Sequence, residues 1–337
     1  MDRFRVACRA SHRGAPVGWA AGIVVLPMGG SMTESHAASG PVTFGDGDAR
    51  ADQMHQAIDQ WLAELCDAVD AARASEQFQQ WLDVQSRFHD YSHRNTFLIT
   101  LQCPEATKVA GYRTWQDDFD RHVIEGESAI WIWAPIITSR CPECGDGPTY
   151  HEQNDCEYDD TPPDEWADGV VGFKPVPVFD VSQTEGEPLP QLETASEGDA
   201  DGLVTALVEA ATDLGVSVEI VDSEAWPHGD AAGVCRHVDG DPHVQVRSDD
   251  TAAVAGTLCH EYAHALLHDP ADTVGKEARE REAEAVAYVV GQQFGLEMDG
   301  SARYLAAWSD DDSEQLLTRC ERIREVSTRL IDAVDIG

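Results

Sequence analysis

Apolar side chains recur at three- and four-residue steps between Ala51 and about Phe88: Ile58, Trp61, Leu62, Leu65 and Val69, then Phe78, Trp81 and Leu82. That period puts them on one face of a helix. A short apolar helix follows from Tyr91-Ser-His-Arg-Asn-Thr-Phe-Leu-Ile and breaks at Cys103-Pro104, and a helix-like stretch runs from Val109 to His122. Ala129-Ile-Trp-Ile-Trp-Ala-Pro-Ile-Ile changes character: β-branched and aromatic residues predict a strand. Val170 to Asp180 predicts a second strand, interrupted by prolines. Residues 182–201 hold six acids (Glu185, Glu187, Glu193, Glu197, Asp199, Asp201), no base, and several Pro and Gly, the composition of a linker.

The second half is patterned more sharply. Leu203 to Leu214 is amphipathic and stops at Gly215; Val216-Ser-Val-Glu-Ile-Val alternates as a strand does. Gly233–Val238 and His243–Arg247 predict a hairpin turning at Asp239-Gly240. Helices are expected over 251–268, 276–294 and 314–334, with a short element at Tyr304–Trp308. The expected class is α+β. Residues 1–50 form a lead without regular structure, 51–140 an N-terminal α+β domain, 141–181 a cysteine-bearing insert, 182–202 the acidic linker and 203–337 a C-terminal domain.

Charge alters this picture most. The 337 residues carry 23 Lys+Arg against 62 Asp+Glu, a net −39. Only Lys108, Lys174 and Lys276 are lysines; the other bases are Arg. A surface this acidic suits high salt, where the Debye length is about 3 Å and self-repulsion is screened, so a halophilic cytoplasm is expected. Broad electrostatic attraction to duplex DNA or anionic lipid is not expected. No stretch approaches the roughly 20 apolar residues of a membrane span. The first thirty-one residues differ, with Arg3, Arg5, Arg9 and Arg13 against Asp2 and an apolar run from Val17 to Pro27 resembling a signal-peptide core. Met32 follows at once, where the acidic style begins, and is read as the true start.

The chemistry concentrates in two places. His260-Glu261-Tyr-Ala-His264 lies inside the helix from Thr251. Two histidines four apart on a helix point the same way and reach one ion, zinc by donor type, while Glu261 faces a bound water as general base. On the next helix, Glu280, Glu284, Ala287 and Gly291 share one stripe. Glu280 is the expected third ligand, and Glu284 the residue that hydrogen-bonds a ligand histidine from behind. Glu282 is about 200° round the helix from Glu280, so the two do not share the ion. His268 is a possible fourth ligand, with a surface or capping role preferred. In the insert, Cys141-Pro-Glu-Cys144, His151 and Cys156 have the spacing of a structural zinc site resembling a zinc knuckle. The other cysteines are scattered, which fits a reducing compartment.

These motifs carry a resemblance. His260-Glu-Tyr-Ala-His-Ala-Leu-Leu-His268 followed by Glu280-Arg-Glu-Ala-Glu-Ala-Val-Ala287 resembles the metallopeptidase domain of the ImmA/IrrE and ArdC/LtrC-like group, across roughly 203–310, and Tyr304-Leu-Ala-Ala-Trp308 fits the LtrC-like branch. Asn95-Thr-Phe-Leu-Ile, Gln102-Cys-Pro, Val109-Ala-Gly-Tyr-Arg-Thr-Trp115 and Gly126-Glu-Ser-Ala-Ile-Trp-Ile resemble the ArdC N-terminal domain, across roughly 53–140. The resemblance implies a single-stranded-DNA-binding domain joined to a zincin-like peptidase of the gluzincin type. It also implies an antirestriction role on plasmids and other mobile elements, with a protein substrate. The ligand roles pass to His260, His264 and Glu280 and the base role to Glu261. The insert lies outside that pattern.

Residue composition supports DNA binding less well. Residues 53–140 hold seven bases and thirteen acids, which is no basic groove, so stacking on aromatic side chains would have to carry the affinity. Arg94, Asn95, Tyr112, Arg113 and Trp115 are the expected surface contacts. Two other readings stand beside the enzyme: a non-catalytic protein that shields single-stranded DNA around a structural metal, and an ImmA-like regulator that cleaves a repressor.

Overall fold

A computed structural model describes residues 41–45, 49–66, 71–154, 156–158, 160–189, 200–269, 274–296 and 312–334. The basic leader, the Met32 start, the middle of the acidic linker and the Tyr304–Trp308 element lie outside the described residues. Helices and strands are mixed along the chain, and antiparallel strand pairings outnumber parallel ones among the described residues, as suits an α+β fold.

The chain divides into two compact units, one centred on 134–174, the other comprising 44–133 with 175–337. In the larger unit, α1 (Arg50–Cys66) buries Met54, Ile58, Trp61, Leu62 and Leu65, and α2 (Ala71–Arg87) buries Phe78, Trp81 and Leu82. The rings of Trp61 and Trp81 pack on Phe97 with centroids 4.8 Å and 5.1 Å away. Phe97 belongs to α3 (His93–Gln102), which starts at Ser92, whose hydroxyl accepts the Asn95 N–H.

Helix α3 is buried on almost every side, so its polar residues need partners inside the protein. Thr96 Oγ1 accepts from Trp81 Nε1 at 3.0 Å and lies 2.9 Å from Gln85 Oε1, to which it donates. Asn95 and Gln102, two helical turns apart, face the same strand, β3 (Ile130–Ser139). Each amide accepts a backbone N–H and donates to the carbonyl of that same residue: Asn95 with Trp133, Gln102 with Trp131. Two side-chain amides thus occupy hydrogen-bonding positions that a neighbouring strand would otherwise fill.

Strand β1 (Val109–Ala110) pairs antiparallel with β4 (Asp168–Asp180), which lies between β1 and β3. The prolines do not divide β4, which is continuous. Helix α4 (Tyr112–Phe119) is shorter than expected. Asp120 ends it at φ 51°, and β2 (Arg121–Val123) then carries His122, pairing antiparallel with β5 (Thr184–Gly186). Ordered structure therefore continues into the segment read as linker, because its backbone completes a two-stranded sheet. A short helix, α5 (Pro148–Gln153), lies in the smaller unit.

The remaining elements hold the main site. After α6 (Ala200–Leu214) come β6 (Ser217–Val221), β7 (Gly233–Val238) and β8 (Asp241–Arg247), in sheet order β6-β8-β7. The β7–β8 hairpin turns through Asp239 and Gly240, both at positive φ, as expected. Helices α7 (Thr251–Leu267), α8 (Lys276–Gln293) and α9 (Ser313–Ala333) complete the chain. One apolar core draws on α1, α2 and α3 together with α6 to α9. Tyr288 of α8 donates to Asp83 of α2 at 2.6 Å, and Thr328 of α9 donates to the His89 carbonyl at 2.7 Å. The two halves that the sequence pattern separates by a linker share this core. Among the described residues, no helix is long and apolar enough to cross a membrane.

Candidate metal centre and hydrolytic site

Asp250 caps α7, its carboxylate accepting the Ala253 N–H, and the helix carries His260, Glu261 and His264. Ala263 on α7 and Ala283 and Ala287 on α8 are buried, which lets the two helices approach closely. The approach brings Glu280 Oε2 to 3.5 Å from the Nε2 atoms of both His260 and His264, which are 3.1 Å from each other. Metal–ligand lengths of about 2.0–2.2 Å at tetrahedral angles place such donors about 3.3–3.5 Å apart. Two of the three separations match this range and the third, between the histidines, is slightly shorter, so the triangle has close to the dimensions of a three-ligand metal site.

The hydrogen bonds behind the triangle aim its lone pairs. Glu284 Oε2 is 3.1 Å from His260 Nδ1 and accepts its proton. On the other side, His268 Nε2 donates to Glu282 Oε2 at 3.0 Å, which makes His268 Nδ1 an acceptor. His264 Nδ1, 3.1 Å away, donates to it. With both Nδ1 atoms acting as donors, both Nε2 atoms are turned toward Glu280, and release of the His260 proton leaves both rings in the tautomer that a metal requires. Glu282 is fully buried; Arg319 of α9 donates to its Oε1 at 2.7 Å and Arg322 lies 3.6 Å from its Oε2. Arg322 also donates to the Leu267 carbonyl at the end of α7. Burial alone would raise the Glu282 carboxyl, but His268 and the two guanidinium groups outweigh it and hold the carboxyl below its usual range.

The electrostatics favour a positive charge at the centre of the triangle. Burial opposes a charged His260, yet hydrogen bonds with Glu280 and Glu284 win and raise its pKa to about 9. Burial and the neighbouring His260 hold His264 at about 4. The hydrogen bond with His260 lowers Glu280 to about 2. Without a metal, one proton on His260 supplies the charge that the donor set accommodates, so these residues fit a divalent cation.

Glu261 stands beside the triangle, and burial pushes its carboxyl up to about 7. It faces the start of β7, where the Cys235 backbone amide hydrogen-bonds to it. Gly233 is required there: a Cβ at that position would lie 2.6 Å from Glu261 Cγ and 2.7 Å from Thr257 Cγ2. A cavity of about 580 Å³ opens at this point, lined by Gly233, Gly256, Thr257, His260, Glu261 and Ala287 among others. The space is ample for part of a peptide chain.

The structure thus brings His260, His264 and Glu280 together, with Glu284 behind His260. His268 takes the capping place, as the C-cap of α7 with its N–H donating to the His264 carbonyl, but not a surface one: it is 6% exposed and its ring orients His264. Gly233, Cys235 and the Glu282–Arg319–Arg322 group have no counterpart in the sequence reading. The position of Glu282 opposite Glu280, on the apolar side of α8, was the available signal, because a buried carboxylate needs cationic partners.

The expected DNA contacts divide. Tyr112 and Arg113 are exposed on α4 and Arg94 is half-buried. Asn95 and Trp115 are corrected. Asn95 is buried against Trp133, and Trp115 is fully buried, its Nε1 donating to the Phe179 carbonyl at 2.8 Å. Neither presents a face to a base. Trp131 and Trp133 are also covered, by Arg50 and His55.

No family model matches the chain. An uncharacterized protein of Bacillus anthracis, pXO2-81, is 23% identical over 299 residues, covering 80% of this chain and 50% of the relative. The chain thus spans about half the length of that curated relative. Among solved structures, the antirestriction ArdC protein of plasmid R388 is similar in its metal-free form (TM-score 0.45, 17% identity, covering 84% of this chain and 97% of that one). Its Mn(II)-bound form is similar too (TM-score 0.44, 15% identity, 83% and 97% covered). At this level of similarity the likeness assigns no function.

Proposed function

We propose that the chain is a metal-dependent hydrolase that cleaves a peptide bond, with His260, His264 and Glu280 holding zinc and Glu261 as general base. The observation that carries this reading is the convergence of three donor atoms, at metal-ligand separations, beside a buried carboxyl that borders a cavity. When bound, the ion supplies a Lewis acid that polarises the scissile carbonyl and acidifies water. Glu261 takes a proton from the attacking water and delivers it to the departing amide nitrogen as the C–N bond breaks. Strand β7 lies at the edge of its sheet and lines the cavity through Gly233, with Ala232 just before it, so an extended chain pairing with that edge is the natural substrate.

The wider role follows from the sequence resemblance to ArdC-like proteins: antirestriction on a mobile element, with single-stranded DNA as a partner. Tyr112 and Arg113 on α4 are the exposed residues available for stacking and phosphate contact. The test is the full chain and its Glu261→Gln variant, loaded with zinc and given fluorescein-labelled casein in high salt. The wild type should cleave, and the variant should keep its metal and lose cleavage; equal cleavage by both removes the general-base role. If Glu261→Gln still protects incoming DNA in cells, protection comes from shielding and not from hydrolysis.

A further inference from the structure

The segment between β3 and β4 poses a separate problem. Among the described residues of the 134–174 unit, Cys141 and Trp166 are the only buried hydrophobic side chains. Burial of two side chains cannot offset the conformational entropy of ordering the segment, and units of this kind depend on a covalent or metal staple.

Cys141, Cys144, His151 and Cys156 each direct one donor atom to a common point, all four within 4.8 Å of one another. Cys144 Sγ is 3.6 Å from His151 Nδ1. Zn–S of about 2.3 Å and Zn–N of about 2.0–2.1 Å, at a tetrahedral angle, require about 3.6 Å for that pair. The backbone is arranged to match. The Gly145 N–H donates to the Cys141 carbonyl and the Cys141 N–H to the Asp146 carbonyl, which folds the Cys-x-x-Cys turn back on itself. The Cys156 N–H donates to the His151 carbonyl, fixing the second pair. Trp166 meets the His151 ring edge-on at 5.0 Å and orients it.

Charge points the same way. Three thiolates and one neutral imidazole around a divalent ion leave a net −1. Besides Lys174, Arg140 is the only Lys or Arg in 134–174, in a chain carrying 62 acids. Arg140 Nε donates to the Gly145 carbonyl at 2.6 Å, and a Cβ on Gly145 would lie 2.7 Å from its guanidinium. A scarce cation is thus placed against the turn that would carry the negative complex. A disulfide explains less, since pairing any two of the three thiols strands the third and leaves His151 without a role.

We propose that Cys141, Cys144, His151 and Cys156 bind a zinc ion that serves this unit in place of a hydrophobic core. Four protein donors leave no open position, so the site is structural and takes no part in hydrolysis. It is independent of the His260 site, and the two stand or fall separately.

The full chain should bind two zinc ions, measured by elemental analysis after exhaustive dialysis. Cys144→Ser should lose one and His260→Ala the other. Cobalt added to the metal-stripped wild type should give a thiolate-to-cobalt charge-transfer band, which His260→Ala retains and Cys144→Ser lacks. Cys144→His, which restores a zinc donor, should recover the ion. A wild type with no such cobalt band, or a Cys144→Ser chain that still holds both ions, overturns the proposal. Retention of the band in His260→Ala with loss of the other ion keeps this outcome distinct from any failure of the hydrolase reading.

Discussion

The two donor clusters are built on opposite principles. Around His260 and His264, three donors stand on helices, with Glu284 behind His260 and a relay through His268 and Glu282 to Arg319 and Arg322 behind His264. A cavity leaves one side open. Around Cys141, four donors sit on turns and a short helix, backed by backbone hydrogen bonds and one tryptophan. The first arrangement is set by the fold and the relay. The second depends on the ion for the order of its own segment. An open position therefore goes with a preformed scaffold, and a closed one with a scaffold that the metal completes.

This contrast predicts different sensitivities. The largest effect belongs to Glu261→Gln, which should lower the cleavage rate about 10²–10⁴-fold without shifting the unfolding midpoint in urea. Next comes Glu282→Gln. It leaves Arg319, Arg322 and His268 without their shared carboxylate, and should cost about 3–5 kcal/mol in urea unfolding. Zinc affinity at the His260 site, titrated calorimetrically, should weaken about 10–100-fold, while the cobalt–thiolate band stays unchanged. If the band changes as well, the two sites are coupled and the contrast fails. Gly233→Ala should reduce cleavage by about 10²-fold through displacement of Glu261, with the zinc content unaltered.

The smallest expected effect concerns neither cluster. Asp180 is 1% exposed. Burial works to raise its carboxyl, yet hydrogen bonds from the Ser182 hydroxyl and N–H and from the N–H groups of Lys108 and Thr107 prevail, holding it below the usual range. A carboxyl depressed by folding adds stability above its unfolded pKa of about 3.9, and loses that contribution as pH falls through the lower folded value. Asp180→Asn should cost about 1–3 kcal/mol at neutral pH and flatten the acid limb of stability against pH, read by thermal unfolding across a pH series.

Both clusters were legible in the sequence to the extent that their chemistry is local. The four-residue spacing of His260 and His264, the helical stripe of Glu280 and Glu284, and the spacing of Cys141, Cys144, His151 and Cys156 are all short-range patterns. The supports were not legible, because their partners are distant in the chain. Glu282 meets Arg319 thirty-seven positions later, Asn95 meets Trp133 thirty-eight later, and Trp115 meets Phe179 sixty-four later. Asn95 and Trp115 therefore looked like surface residues, although remote backbone satisfies them in the interior. The strand at Thr184–Gly186 was hidden for the same reason: its acidic residues read as linker, and only pairing with Arg121–Val123 makes it a strand.

The interleaved core of the larger unit sets a practical limit on dissecting the molecule. Met54, Ile58, Trp61, Phe78 and Trp81 rest in the same interior as Val286, Val289, Leu316 and Ile323. A fragment ending before Ala200 would expose that apolar surface to water and aggregate, and a fragment starting there would lose the cover of its own helices. A protease that nicked the chain ahead of α6 would leave two pieces that co-purify until denatured. Single-residue variants of the intact chain, rather than truncations, are the means of separating what each half does.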